Sequence, residues 1–331
     1  NELKSAEFFE AIADAAETGR EGLGTVMVFA AGNYGVEGDS SDYHSFSNTH
    51  ETISVGSVGY YGGASSFTSA GSSVLISAPG ESILTTDLTG DLGKSDSEDS
   101  LGGDYWDAFD GTSASASIVS GVSALMLQAN PDLGYRDVQE IFAYSADNPT
   151  TNVWNSNAAG TVNGGGFTFN DDYGFGVVDA HAAVRLAETW SQKSTSANLV
   201  EVPSDVTTVN SAISDLGSVS DTITLSNTNL NIDHVEVNLQ LTHKYIGELL
   251  VEITSPSGTT STLLDRPMDG NYEGTGSLDF TFDSVQFWGE ASDGNWTLTV
   301  TDTETGDTGN LDSWSLNLFG DTFSDDTTYV F

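Results

Sequence analysis

The stretch FDGTSASASIVSGVSALMLQAN, residues Phe109 to Asn130, joins a small polar segment to a long apolar helical pattern. Gly111 and Thr112 form a tight entry, and the spacing that follows predicts a helix that begins at or just after Ser113. Backbone N–H groups in the first turn of a helix have no partner within the helix, so they suit a developing negative charge. Two interpretations of Ser113 follow, a plain helix cap and a nucleophile beside oxyanion donors.

Outward from this stretch, helices alternate with short apolar runs. The runs GTVMVFAAGN, ETISVGSVGY and SVLISAPG are rich in β-branched residues and closed by turn residues, which predicts buried parallel strands. Helical spacing recurs in the first residues, over 113–129 and 135–146, and in DAHAAVRLAETW. Residues 1–190 are therefore predicted to form an α/β domain with helices packed on a parallel sheet.

The pattern changes after residue 190. Residues 191–198 read as a polar linker, and residues 199–321 contain alternating runs such as HVEVNLQLTH, NWTLTVTD and SWSLNLFG, separated by turns such as SPSG. This predicts an all-β antiparallel sandwich, with Trp296 and Trp314 in its core. Residues 322–331 are expected to begin a further segment or tail.

The composition narrows the classes of partner. Lys and Arg total 8 against 49 Asp and Glu, for a formal charge of −41, which argues against nucleic acid and anionic membranes as partners. The chain has no Cys, so disulfides and Cys nucleophiles are excluded. No apolar run approaches the roughly 20 residues of a membrane helix. We expect a globular protein with neutral, basic or metallic partners.

Several segments resemble one family. GTSASA is similar to the nucleophile motif of the subtilisin-like serine proteases, VMVFAAGNYG to the segment that carries their oxyanion-hole Asn, and YGFGVVDAHAAVRLA to their closing helix. The run GNWTLTVTDTETGDTGNLDSWSLNLFG resembles the P domain of the kexin and furin branch, the proprotein convertases. The resemblance implies an incomplete subtilisin-like α/β domain followed by a jelly-roll-like P-domain sandwich.

The resemblance also implies an activity. Ser113 matches the nucleophile and Asn33 the side-chain donor of the oxyanion hole, which predicts a serine endopeptidase acting through an acyl-enzyme. In subtilisin-like enzymes the order is Asp, His, oxyanion Asn, Ser. His44 and His50 both follow Asn33, so we expect the base and its carboxylate to belong to a segment before Asn1. The chain alone is then predicted to be inactive.

The sequence departs from the family's pattern at two positions, and one loop contains a candidate metal site. Ser117 stands where the family usually has Pro, a change that removes no catalytic group. His44 takes the place of an acidic residue that holds a basic substrate side chain in this branch, so no preference for Lys or Arg is predicted. Asp39 resembles a calcium-ligand position, and with Asp42 it forms our candidate metal site for Ca²⁺. The alternative is a solvated acidic loop, because calcium takes six to eight oxygens.

A second acidic segment, DTETGDTGNLD, places four carboxylates around a turn without EF-hand spacing, and a metal there is a further hypothesis: Asp302, Glu304, Asp307 and Asp312. The five histidines are predicted to be surface or structural residues.

We therefore predict a secreted, monomeric serine endopeptidase that acts on protein or peptide substrates. The competing hypothesis is a non-catalytic extracellular binding or adhesion protein that uses its β-sandwich. An Asp and a His in the family's motifs upstream would distinguish the two.

Overall fold

The computed structural model describes residues 6–96, 102–148, 154–159, 166–270 and 276–322. Its first region is built on three parallel strands in the order β1-β2-β3. These are β1 (Met27–Ala30), β2 (Thr52–Val58) and β3 (Val74–Pro79). Every residue of β2 is buried, as expected for a central parallel strand covered on both faces. The three predicted strands and their direction are confirmed.

In the described residues, four α-helices accompany this sheet: α1 (Ala6–Gly22), α2 (Thr112–Ala129), α3 (Tyr135–Ser145) and α4 (Ala180–Thr189). Helix α2 packs against all three strands and against α4, so its apolar side chains share one core with the sheet. Two short antiparallel hairpins were not predicted from the sequence: β4 (Ile83–Thr86) with β5 (Tyr105–Phe109), and β6 (Asn155–Ser156) with β7 (Thr168–Phe169).

The second region is the predicted antiparallel sandwich. Its strands are β8 (Val200–Pro203), β9 (Thr207–Ile213), β10 (Ser218–Leu225), β11 (Asn231–His243), β12 (Leu249–Thr254), β13 (Thr260–Asp265), β14 (Ser277–Ser284), β15 (Gly294–Asp302) and β16 (Gly309–Asp321). One sheet has the order β10-β15-β12-β13 and the other β14-β11-β16-β8, with β9 also paired to β16. Trp296 and Trp314 are fully buried between them, which confirms their predicted place in the core.

The two regions share a polar and apolar interface. Val285 and Trp288, from the segment between β14 and β15, pack into the core of the first region. The Asn48 amide donates to the Thr281 carbonyl at 2.7 Å and accepts from the Asp283 N–H at 2.7 Å. The division of the chain at a linker over 191–198 stays a prediction, and residues 323–331 of the expected tail lie outside the described residues.

A buried arginine spans this interface. Arg136 of α3 is 3% exposed, and its guanidinium donates to Asp233 at 2.5 and 3.2 Å and to Asp321 at 2.8 Å. Burial raises the pKa of Asp321 to about 6, against the opposing charge of Arg136. Arg136 is therefore the cation that allows two sandwich carboxylates to be buried against α3.

His50 forms a second charged contact across the interface. Its Nδ1 lies 2.8 Å from Glu236 Oε1, and its ring stacks on Phe319 with centroids 3.8 Å apart. Burial acts to lower the pKa of His50, but the hydrogen bond and charge of Glu236 outweigh it and raise the pKa to about 9. His50 is thus a charged structural residue near neutral pH.

Candidate active site

Ser113 lies in the first turn of helix α2. The helix begins at Thr112, one residue before the earliest predicted start at Ser113, and Gly111 precedes it. Gly111 has φ 145°, a backbone conformation that L side chains rarely adopt. Ser113 is exposed and is the second residue of the helix. The interpretation of Ser113 as a plain helix cap is therefore wrong.

Asn33 follows the carboxyl end of β1 and contacts the start of α2. Its Oδ1 accepts from both the backbone N–H and the Oγ1 of Thr112, each at 2.9 Å. Because a backbone N–H can only donate, the amide oxygen must face Thr112 and Nδ2 must be turned elsewhere. A Cβ built on Gly111 would lie 3.6 Å from Nδ2, which places that amide nitrogen beside the helix entry. The structure thus brings Asn33 to the residue that precedes Ser113.

The helix entry is fixed to the end of β3. The Gly111 N–H donates to the Gly80 carbonyl at 2.8 Å, and the Ser115 hydroxyl donates to the Ala78 carbonyl at 2.9 Å. A Cβ on Gly80 would lie 2.4 Å from Ser115 Oγ, so only glycine allows this close approach. Ser117 donates from its hydroxyl to the Ser113 carbonyl at 2.9 Å, so the residue in place of the family's Pro makes a bond within the first turns.

This geometry can stabilise an oxyanion. The Ser113 N–H belongs to the helix turn whose donors lack intrahelical acceptors, and Asn33 Nδ2 lies at the same helix entry. Two fixed donors at a helix N-terminus are the arrangement that acyl transfer uses for the charge on a tetrahedral intermediate.

The histidines upstream of Ser113 in the chain are occupied elsewhere. His44 Nε2 lies 2.8 Å from Asp39 Oδ2, and His50 is bound to Glu236. Within the described ranges, no hydrogen bond joins a histidine to Ser113.

The candidate metal residues Asp39 and Asp42 line a cavity of about 230 Å³. Asp171 and Asp265 line it as well, and sequence analysis did not identify these two. Burial, with the nearby charge of Asp171, raises the pKa of Asp42 to about 7, and burial also raises the pKa of Asp171. The cavity thus brings carboxylates from three parts of the chain to one place, and carboxylate oxygens are ligands that calcium prefers.

Both aspartates also hold the loop around them. Asp42 is 2% exposed and accepts from the backbone N–H groups of Ser72 and Ser73, each at 2.8 Å. Asp39 Oδ2 accepts from Ser69 Oγ at 2.7 Å. Burial acts to raise the pKa of Asp39, but the hydrogen bonds from His44 and Ser69 outweigh it and lower the pKa. Asp42 therefore stabilises the entry to β3 from a buried position.

Burial raises the pKa of Glu248, and in the acidic turn near the end of the sandwich Asp302, Asp307 and Glu304 all lie close enough to Glu248 for their charges to raise it further. Asp312 accepts from the Asn310 amide at 2.5 Å, and Asp307 is bound to Lys244 at 2.9 Å. Asp302 lies buried beside His243 and Glu248, two residues that the sequence did not associate with it.

Comparison with known proteins identifies a family for each of the two regions. Residues 2–176 match the family model described as the subtilase family, and residues 232–318 match the one described as the proprotein convertase P-domain. Kexin of Saccharomyces cerevisiae is 32% identical over 95% of the chain, which covers 37% of kexin. Proprotein convertase subtilisin/kexin type 5 of Homo sapiens is 35% identical over 94% of the chain, which covers 17% of that protein. The chain thus spans well under half the length of these relatives.

A solved structure shows the same fold. The serine protease of Aeromonas sobria superposes with a TM-score of 0.83 over 97% of the chain and 68% of that protein, at 24% identity. The predicted order, an α/β region followed by an antiparallel sandwich, is confirmed by this likeness and by the two family matches. None of the helices in the described ranges has the length and apolar content needed to cross a membrane.

Proposed function

This chain belongs to the subtilase family and carries a proprotein convertase P domain, and from that premise we propose that it is the nucleophile-bearing part of a serine endopeptidase. The observation that supports the proposal best is the pair of hydrogen bonds from Thr112 to Asn33 Oδ1. These bonds hold the Asn33 amide nitrogen at the helix entry beside Ser113, where an oxyanion would need it.

In the proposed reaction, Ser113 Oγ attacks the carbonyl carbon of the scissile bond and gives up its proton to a general base. The carbonyl oxygen becomes an oxyanion held by Asn33 Nδ2 and the Ser113 N–H. The base then protonates the leaving amine, and water hydrolyses the resulting acyl-enzyme. The family's order places the base and its orienting carboxylate before Asn33, and we propose that residues outside 1–331 supply them.

We propose protein or peptide substrates, a secreted location and a monomeric state. The name of one relative, a proprotein convertase, supports proteolytic processing of proteins. The charge of −41 supports neutral or basic polypeptides as substrates, since a strongly acidic surface repels anions.

Replacing Asn33 with Ala tests the oxyanion hole. In a protein that contains this chain and the triad Asp and His, kcat should fall by about 10²- to 10³-fold with little change in KM, because the lost donor acts on charge that develops only in the transition state. The measurement is steady-state hydrolysis of a fluorogenic peptide.

Asn155→Ala is the matched control, since Asn155 is exposed on the short strand β6. Its kcat should equal that of the parent. If Asn33→Ala raised KM and left kcat intact, Asn33 would be a substrate-binding residue and the proposed role would be lost.

We propose that calcium binds in the acidic cavity, with Asp39 and Asp42 among its ligands and Asp171 and Asp265 beside them. Calcium should then raise the melting temperature above that in magnesium at equal ionic strength, because an ion that binds only the folded state stabilises it. Paired melting curves in millimolar CaCl₂ and MgCl₂ measure this. Asp39→Ala should remove most of the difference between the two midpoints. Equal midpoints for the parent protein in Ca²⁺ and Mg²⁺ would show that the cavity does not bind calcium.

A further inference from the structure

Three buried polar atoms meet at one end of the sandwich without hydrogen-bond partners: His243 Nε2, Glu248 Oε2 and Asp302 Oδ2. Each of the three residues has a ligand atom within 4.8 Å of a ligand atom of the other two, and the side chains of His243 and Asp302 are 0% exposed. An unpaired buried polar group is costly, and three that face the same point are unusual in a folded protein. A cation bound among these residues would give all three atoms a partner.

The tautomer of His243 is set by its other ring nitrogen. Nδ1 lies 2.8 Å from the Tyr245 carbonyl oxygen, a contact that requires a proton on Nδ1, whereas the Tyr245 N–H is farther away at 3.3 Å. In the neutral ring, Nε2 then presents a lone pair. It faces Asp302 Oδ2 at 3.4 Å, so two electron-pair donors point toward each other. A histidine that donates its second N–H to a backbone carbonyl is typical of a metal ligand.

The spacing of these atoms matches a coordinated metal ion. Two ligand atoms that are each 2.1 Å from one ion in tetrahedral geometry are about 3.4 Å apart. We propose that His243, Glu248 and Asp302 form a binding site for a divalent transition metal of the zinc type. The imidazole nitrogen selects against calcium and magnesium, which take oxygen ligands, and the two carboxylates complete three positions of a four-coordinate site.

The surroundings leave room for this site and an approach to it. His243 pairs across the strands with Gly309, and a Cβ at Gly309 would lie 2.6 Å from the imidazole Cδ2. Glu248 is only partly buried, so the cluster is reachable from solvent on one side. The neighbouring Asp307 is bound to Lys244. A water molecule is the expected fourth ligand on the side of Glu248.

The three residues connect the two sheets of the sandwich, so a metal bound by them would have a structural role. His243 ends β11 in the five-stranded sheet, whereas Asp302 ends β15 in the four-stranded sheet and Glu248 directly precedes β12 beside it. A bound ion would therefore join the two sheets at one end of the sandwich. Metal binding should stabilise the folded sandwich in proportion to its affinity.

Zinc titration of the full 331-residue chain, first freed of metal with EDTA, tests the proposal. We expect one equivalent of Zn²⁺ by calorimetry, and a rise in melting temperature of about 5–10 °C when free zinc is a hundredfold above Kd. Co²⁺ should give the intense visible absorption of a four-coordinate site. Glu248→Gln should weaken zinc binding at least about tenfold, and His243→Gln should remove it.

His181→Gln is the control, because His181 is exposed on α4 and distant in sequence from the cluster. It should bind zinc as the parent does. Glu248 is partly exposed, so Glu248→Gln should fold, as judged by an unchanged melting curve in EDTA. Equal zinc affinity in the parent and in Glu248→Gln, or displacement of bound Zn²⁺ by an equal concentration of Ca²⁺, would overturn the assignment.

Discussion

The 331-residue chain is expected to hydrolyse peptide bonds about 10⁶-fold more slowly than a protein that also contains the triad His and Asp. Members of a catalytic triad act as a unit, and a serine without a base is a weak nucleophile at neutral pH. The histidines that precede Ser113 here serve other contacts, His44 with Asp39 and His50 with Glu236. Neither arrangement offers Ser113 a base.

The comparison uses two purified proteins, the chain of residues 1–331 and a form extended upstream to the triad residues, with one fluorogenic peptide at equal concentration. Ser113→Ala in the extended form gives the background rate. The short chain should match that background. Turnover by the short chain at an ordinary protease rate would show that a base for Ser113 lies within residues 1–331.

Replacing Arg136 with Met is expected to lower the free energy of unfolding by about 3–5 kcal/mol. Methionine keeps the apolar stem of the side chain but leaves Asp233 and Asp321 buried without a cation. Burial raises the pKa of Asp321 to about 6, and loss of the cation should raise it further, so the loss of stability should shrink as the pH is lowered from 7 towards 5. Denaturant unfolding of both proteins at each pH measures the difference.

Arg185→Met is the matched control. Arg185 forms an ion pair with Glu188 on the exposed face of α4, where its side chain is 64% exposed. Surface pairs of this kind contribute little, so the control should change stability by less than about 1 kcal/mol. A similar small loss for Arg136→Met would mean that the interface does not depend on its buried cation.

Much of the fold could be predicted because its strands are either continuously apolar or strictly alternating. The run that became β2 is buried throughout, and β15 alternates buried and half-buried residues. Strand β10 is hard to predict from the sequence, because its exposed face carries Ser and Thr, which are typical of a polar segment. In β10, Ser218 and Thr222 pair by their hydroxyls with residues of β15. Cross-strand partners, which fix such strands, are invisible in a local pattern.

Some residues of the candidate site could be predicted from the sequence and others could not. Ser113 and Asn33 could be predicted because each lies in a short local motif beside a strand or a helix start. Asp171 lines the same cavity as Asp39, but 132 positions separate the two residues in the sequence, so only the folded structure shows that they are close. The cluster of His243 and Asp302 likewise depends on strands of two different sheets ending at the same place. Spacing along the chain carries no signal for such contacts.

The most direct test of the central claim, that Ser113 is the nucleophile, is covalent labelling with a fluorophosphonate probe. The protein is the form extended to the triad residues, and the labelled peptide is identified by mass spectrometry. We expect one adduct, on Ser113, and none in the Ser113→Ala variant. An adduct on another serine, or undiminished labelling of Ser113→Ala, would contradict it.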